Sequence, residues 1–445
     1  MAQRRPASRR IPALRSADSA DWAFHADDDA VLGALLSGSH AQSLREYFGA
    51  PAYADLSLLA AAAKQARKSR GPKVLILPGI MGSKIGVPIG SDGADTTSGS
   101  AAARRSPRSE VLWVDPLQIA AGRLTALKLP SGKSLRAVGV LLFAYARLKL
   151  QLQIGGRDAR FYSYDWRLGL DELGAQLAAH IAGEGQPVIL VAHSMGGLVA
   201  RVATHLLPKR LVRKLIMLGT PNEGSFASVQ ALRGTYPFVR RLSRLDRRHS
   251  PEYLTAKVFS TFPGLYHLLP PPWRVKGMDL FDPRHWPADG PMPSARILKE
   301  AAAARANLAP ADSRMMQILG VNQETVIGIR RTTAGFEYSM ARSGDGTVPL
   351  ALARLPKLKS YFVDELHGNL ANNSQVIRAV VDLVRRGRTH HLPQRWRAKR
   401  GAVRRIDDAA LRRENVHKID WSSLSSAQRE AVLGELDSGR LIIRE

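Results

Sequence analysis

The sequence predicts an α/β fold, with a mostly parallel central sheet, helices on both faces and an inserted cap. Three observations carry that expectation. Short aliphatic runs recur along the middle of the chain, helical patterns separate several of them, and one long stretch rich in proline and aromatic residues interrupts the alternation. Strands that alternate with helices of ten or more residues imply a parallel sheet covered on both faces. Ligands in such sheets gather at the carboxyl ends of the strands.

The elements follow in chain order. Residues 1–70 hold an Arg-rich arm (Arg4, Arg5, Arg9, Arg10, Arg15), a helical-looking stretch near Val31 to Leu36 and the alanine-rich Leu56 to Lys68. They read as an extension packed on the main domain. A first core strand, Val74 to Leu77, is stopped by Pro78-Gly79 and opens a core segment over residues 71–221. Residues 90–109, rich in Gly, Ser, Ala and Arg, read as a flexible surface loop. Further strands are expected at Phe161 to Tyr164, Val188 to Val191, Leu215 to Leu218, Thr325 to Ile329 and Ser360 to Val363. Helices are expected at Leu170 to Ile181, Leu198 to Leu207 and Val376 to Val384. Residues 222–312 show no clear strand and read as the cap, 313–386 as the second part of the core, and 387–445 as a basic, partly helical extension.

Composition narrows the chemistry. A chain of 445 residues with 45% apolar content can bury a sizeable core. The absence of cysteine excludes disulfides, cysteine-rich zinc sites and a thiol nucleophile. No metal or other cofactor is called for. The longest apolar run, Val138 to Ala146, is about half of the roughly 20 residues a membrane-spanning helix needs. The first thirty residues lack the apolar stretch of a secretory signal, so a cytoplasmic protein is expected. A formal charge of +27 draws in polyanions. Its densest part, Arg385 to Arg413, interleaves cations with a single aromatic residue, Trp396, and no nucleic-acid-binding module accompanies it. Peripheral contact with an anionic membrane is therefore the expected use of this tail, unless it is merely a solvated charge run.

The central motif is Val188-Ile189-Leu190-Val191-Ala192-His193-Ser194-Met195-Gly196-Gly197, a strand running through a turn of small residues into a helix. That is the context of a nucleophile elbow, which lifts a serine hydroxyl to a helix N-terminus where developing negative charge is favoured. A plain strand-to-helix turn is the bland alternative. A serine needs a base and an orienting carboxylate. In chain order Ser, Asp, His, the candidates are Ser194, Asp345 in Gly344-Asp345-Gly346, and His367 beyond the last strand. A hairpin Asp and a surface His are the competing explanations. His193 should point sideways, and His390 and His391 belong to the tail. The backbone N–H groups of Met195 and of Ile80, with Met81 as second choice, are the expected oxyanion donors. The loop Pro78-Gly79-Ile80-Met81-Gly82-Ser83 could also cradle phosphate, but it lacks the Gly-Lys-Ser/Thr ending of a P-loop.

Five segments together resemble the lecithin:cholesterol acyltransferase and phospholipid:diacylglycerol acyltransferase family of α/β-hydrolases, over roughly residues 72–386. They are Leu77 to Ser83, Trp113-Val114-Asp115-Pro116, Tyr164-Asp165-Trp166-Arg167, His193 to Gly197, and Gly344 to Pro349. The resemblance implies a Ser194, Asp345, His367 triad, an oxyanion hole at Ile80 and Met195, and a lipid ester as acyl donor. Tyr164 to Arg167 follow a strand and so should lie near the pocket, touching lipid or only bracing the loop, with Asp165 and Arg167 paired to hold it. Ala192 stands where that family usually has glycine, the lid disulfides of secreted members cannot form, and the cap matches only loosely. The expected activity is transfer of an acyl group from a lipid ester to water or to an alcohol. The alternatives are an esterase on small soluble esters, or a membrane- or nucleic-acid-binding protein on a hydrolase scaffold.

Overall fold

Short runs of Val, Ile and Leu that cannot remain in water assemble six strands into one parallel sheet. The computed structural model describes residues 22–67, 71–89, 108–131, 134–398, 401–413, 417–424 and 428. The basic arm before residue 22, residues 90–107 of the expected loop, and parts of the C-terminal extension lie outside the described residues.

In chain order the strands are β1 (Lys73–Leu77), β2 (Ser83–Ile89), β3 (Arg108–Trp113), β4 (Arg136–Val140), β5 (Ala159–Phe161), β6 (Val188–His193), β7 (Val212–Leu218), β8 (Met315–Gly320), β9 (Gln323–Thr332), β10 (Gly335–Gly344), β11 (Lys359–Val363) and β12 (Arg404–Asp407). The central sheet runs β11-β8-β7-β6-β1-β5, every neighbour parallel. Side chains alternate across it. Leu75, Leu77, Leu190 and Met217 pack with the helices Leu170–Gly183 and Met195–Leu206, while Val74, Ile76, Ile189 and Ile216 pack with Leu142–Ile154 and Ser374–Arg386.

Three strand expectations change. The run Thr325 to Ile329 lies in β9, which pairs antiparallel with β10 and, through it, with β12 in a separate sheet. The parallel strand in that part of the chain is β8, whose Met315-Met316-Gln317 start hides it from a search for aliphatic runs. Gln317 is tolerated inside because its Nε2 donates to Leu355 O at 2.8 Å and to Ser360 Oγ at 2.9 Å. The strand at Phe161 begins earlier and ends there, the chain then bending so that Tyr164 N donates to Ser83 Oγ at 3.2 Å. A second small sheet, β3-β2-β4, was not expected at all.

The N-terminal extension packs as the helices Asp28–Ser37, Ala41–Phe48 and Ala50–Gln65. Asp28 fastens it, accepting from Val140 N at 2.9 Å and pairing with Lys84 Nζ at 3.1 Å. Between β7 and β8 the chain forms helices at Phe226–Leu232, Pro237–Leu245, Pro251–Lys257, Pro263–Tyr266 and Ala295–Ala304, and no strand among the described residues. The described parts of the basic C-terminal segment pack on the fold. Pro393 O accepts from Phe362 N at 2.9 Å on the edge strand β11, β12 joins β10, and Asp408 is fully buried.

Candidate active site

At the carboxyl end of β6 the chain turns so sharply that Ser194 takes φ 52°, ψ −126°, strained for a residue with a Cβ. The turn closes because Gly196 and Gly197 carry no side chain. A Cβ on Gly196 would strike Pro78 O, and one on Gly197 would strike Thr220 Oγ1. Ser194 Oγ meets His367 Nε2 at 2.8 Å, and His367 Nδ1 meets Asp345 Oδ2 at 2.8 Å. Asp345 Oδ1 accepts from Thr347 N at 3.0 Å and Val348 N at 2.7 Å, so the carboxylate is held on both oxygens. Asp345 O also accepts from His367 N at 2.8 Å, which fixes the backbone of the imidazole to that of the acid.

Asp345 reaches this position from the end of the antiparallel strand β10, not from a strand of the central sheet. Two glycines at the ends of parallel strands make room for it. A Cβ on Gly320 would lie 2.5 Å from Asp345 Cβ, and one on Gly219, at φ 57°, would lie 3.1 Å from both Asp345 Oδ2 and His367 Nδ1. Neither glycine was singled out in the sequence, although each directly follows or closes an aliphatic run.

The loop Pro78 to Ser83 passes over the serine, close enough that a Cβ on Gly79 would lie 2.9 Å from Ser194 Cβ. Gly82 N donates to Gly79 O at 3.0 Å, closing a turn with Met81 at φ 64°. Among the described residues no hydrogen bond uses the N–H of Ile80, Met81 or Met195, so these expected donors remain available to a ligand. Three aromatic side chains brace the loop: Trp113 Nε1 donates to Met81 O at 2.8 Å, Tyr164 Oη to Pro78 O at 2.8 Å and Trp166 Nε1 to Ser83 O at 3.1 Å. Asp165 and Arg167 form a two-pronged pair at 2.8 and 2.6 Å, and Arg167 also donates to Leu127 O and Leu135 O. None of Tyr164, Asp165, Trp166 and Arg167 lines the cavity, so the tetrad supports the loop without facing a bound molecule.

The cavity above Ser194 encloses about 190 Å³. Its apolar lining includes Trp113, Val114 and Phe143, together with Ala227, Phe238 and Leu265 of the insertion. Tyr236 and Thr347 add hydroxyl groups, and no Asp, Glu, Lys or Arg lines it. His193 borders the cavity beside Ser194, with both ring nitrogens engaged. Its Nδ1 meets Tyr145 Oη at 2.9 Å and its Nε2 meets His367 O at 2.9 Å, while burial lowers its pKa to about 3 and keeps the ring neutral. His391 lies in the tail beside Asp382 at 3.7 Å.

A model of the Alpha/beta hydrolase family matches residues 135–409, more than half of the chain. The chain belongs to that family. The matched span of this α/β hydrolase includes Ser194, Asp345 and His367 but not the Pro78 to Ser83 loop. No curated protein matches the chain. Among solved structures, the mature form of the Bacillus licheniformis lipase BlEst2 aligns at 16% identity, covering 66% of this chain and 84% of that one, with a TM-score of 0.32. The propeptide form aligns at 15% identity over 68% of this chain and 48% of that one, with a TM-score of 0.30. A chain of the Tle4–Tli4 complex aligns at 13% identity over 71% of this chain and 98% of that one, with a TM-score of 0.41. Likeness at this level carries no argument about what this α/β hydrolase acts on.

Proposed function

We propose that this α/β hydrolase cleaves or transfers acyl esters through a covalent intermediate on Ser194, with His367 as base and Asp345 as its orienting acid. The observation that carries this is the pair of 2.8 Å contacts running from Ser194 Oγ through the imidazole of His367 to Asp345. His367 takes the serine proton as Oγ attacks the ester carbonyl, then returns it to the departing alcohol. The carbonyl oxygen, now negative, is met by the free N–H groups of Met195 and of Ile80 or Met81, beside the positive end of the Met195–Leu206 helix. Water, or an alcohol, then takes the acyl group from Ser194.

The apolar cavity wall, without charged side chains, favours an acyl chain over a charged group as the part of the substrate that enters. A lipid ester donor is the reading we adopt, and peripheral contact with an anionic membrane through the exposed cations of the C-terminal segment accompanies it. The cavity volume of about 190 Å³ lies below the roughly 300–1,000 Å³ of sites that enclose drug-sized ligands, which favours short acyl chains as the second reading. Hydrolysis of p-nitrophenyl esters of increasing chain length, with Ser194→Ala as control, tests both. Loss of turnover in the variant supports the serine mechanism, and retained turnover overturns it. Incubation of the enzyme with a phospholipid or acylglycerol and a long-chain alcohol should give free fatty acid, a new ester, or both. Neither product, from an enzyme active on short esters, leaves the second reading standing.

A further inference from the structure

Tyr145 lies inside the Leu142–Ile154 helix and is 3% exposed, and His193, 6% exposed, precedes Ser194. Both border the cavity over Ser194, and between them they join the two halves of the site. Gly79 N donates to Tyr145 Oη at 2.9 Å, Tyr145 Oη meets His193 Nδ1 at 2.9 Å, and His193 Nε2 meets His367 O at 2.9 Å. One arrangement of hydrogens satisfies all three. The neutral imidazole carries its proton on Nε2 and gives it to the His367 carbonyl, so Nδ1 must accept, so the tyrosine must donate to it and its oxygen is left to accept from Gly79. Burial, which lowers the His193 pKa to about 3, keeps the ring in the neutral form that this chain of bonds needs.

We infer that Tyr145 and His193 are positioning residues that fix the oxyanion loop and the His367 backbone relative to each other. Gly79 begins the turn that presents the Ile80 and Met81 N–H groups, and His367 is already held at its own N–H by Asp345 O. With His193 holding the carbonyl of the same residue, the imidazole is anchored on both sides of its Cα. Without the Tyr145 hydroxyl, Gly79 N and His193 Nδ1 both lose their partner in a buried place, and the loop can drift from the serine. Small displacements of this kind cost rate rather than binding, because only the transition state needs both halves in register.

The inference rests on the proposed triad, and its test separates the two. Tyr145→Phe, His193→Phe and the double variant are assayed on a p-nitrophenyl ester beside Ser194→Ala, with thermal melting of each protein. Each single variant is expected to lose about tenfold in kcat with KM within about twofold, the worth of one ordered hydrogen bond expressed only in the transition state. The double variant should be no slower than the slower single, because the residues act as one chain. His193→Gln, whose amide can still donate toward the His367 carbonyl, should recover part of the loss. A Tyr145→Phe enzyme within twofold of the parent kcat overturns the inference, as does a double variant whose losses multiply, while the Ser194→Ala result leaves the triad intact. An active Ser194→Ala enzyme overturns the triad and this inference with it. If His193→Phe does not fold, Tyr145→Phe, which keeps the ring that packs in the helix, decides alone.

Discussion

Gly320 touches no reacting atom, yet its missing side chain is what lets Asp345 sit beneath His367. Gly320→Ala would bring a methyl group 2.5 Å from Asp345 Cβ, so the acid must move. If Asp345 orients His367 as proposed, a misplacement of about 1 Å is worth about 10²-fold, and kcat is expected to fall by that order while the protein still melts cooperatively. A variant with parental kcat would show that the carboxylate position is not critical. His267 makes a second prediction. Its Nδ1 accepts from Leu170 N at 2.8 Å, and burial lowers its pKa to about 4, so it is neutral when folded. The unfolded chain, near pH 6.5, binds a proton that the folded one refuses, so stability is full above that pH and falls as pH drops toward 4, by up to about 1.4 kcal/mol per unit. His267→Asn, which keeps an acceptor for Leu170 N, should flatten that slope in denaturation curves taken between pH 7 and 4. An unchanged slope assigns the titration to other groups. That Ser194, Asp345 and His367 come together was legible because chain order and a strand-turn-helix pattern constrain them. Tyr145 was not, because a tyrosine within a mostly apolar helix looks like any core residue until the fold sets it beside His193.

At the scale of elements, what stands out in sequence is aliphatic strength. β1, β6 and β7 were visible as runs of Val, Ile and Leu, whereas β8 contains a buried Gln317 and was passed over in favour of the β9 run, which forms an antiparallel hairpin with β10. Pairing partners are set by long-range packing, which a local pattern does not contain. The C-terminal segment carries the same lesson, since its charges pointed outward, to an anionic membrane or to solvent, and said nothing of packing. Instead Asp408, which opens the Asp408–Arg413 helix after β12, pairs with the fully buried Arg233 at 2.9 Å and also accepts from Tyr338 Oη at 2.7 Å and Phe336 N at 3.2 Å. Arg233 follows the Phe226–Leu232 helix, whose Ala227 and Ala231 line the cavity, so the tail anchors a cavity wall. Among the described residues Asp408→Ala leaves a buried guanidinium with Asp289 as its one ionic partner, and a loss of about 3–5 kcal/mol is expected as a lowered denaturant midpoint at unchanged slope. Replacing both partners with apolar residues should recover much of that loss, since the cost is that of an unmatched buried charge. A neutral Asp408→Ala would mean that water reaches Arg233.

For the whole molecule the open quantity is the +27 charge. Among the described residues no helix is long and apolar enough to cross a membrane. Arg385, Arg388, Arg395 and Arg397 are exposed in the C-terminal segment, while Arg404 and Arg405 are partly engaged with Glu324 and Glu337 at 3.0 and 3.7 Å. Each cation held at an anionic bilayer contributes about 1 kcal/mol, so four free arginines would suffice for measurable, reversible attachment. Because these charges stay at the water interface, salt screens them. Removing the segment is not a clean test, since truncation after Arg386 would also take away Asp408. Changing Arg385, Arg388, Arg395 and Arg397 to Gln keeps the fold and lowers the charge. The parent protein is expected to sediment with vesicles containing anionic lipid at low salt and to come off near about 0.5 M salt, where the screening length falls to a few ångströms. The fourfold variant should require a higher anionic lipid content to bind, with hydrolysis of soluble esters unchanged. Binding of the parent to neutral vesicles, insensitive to salt, would move the contact to the apolar side, where Trp273 is 73% exposed on the Pro272–Arg274 turn of the insertion and flanked by Arg274. Tryptophan is enriched at lipid headgroup boundaries, and quenching of its fluorescence by brominated lipid would distinguish that contact from attachment through the arginines.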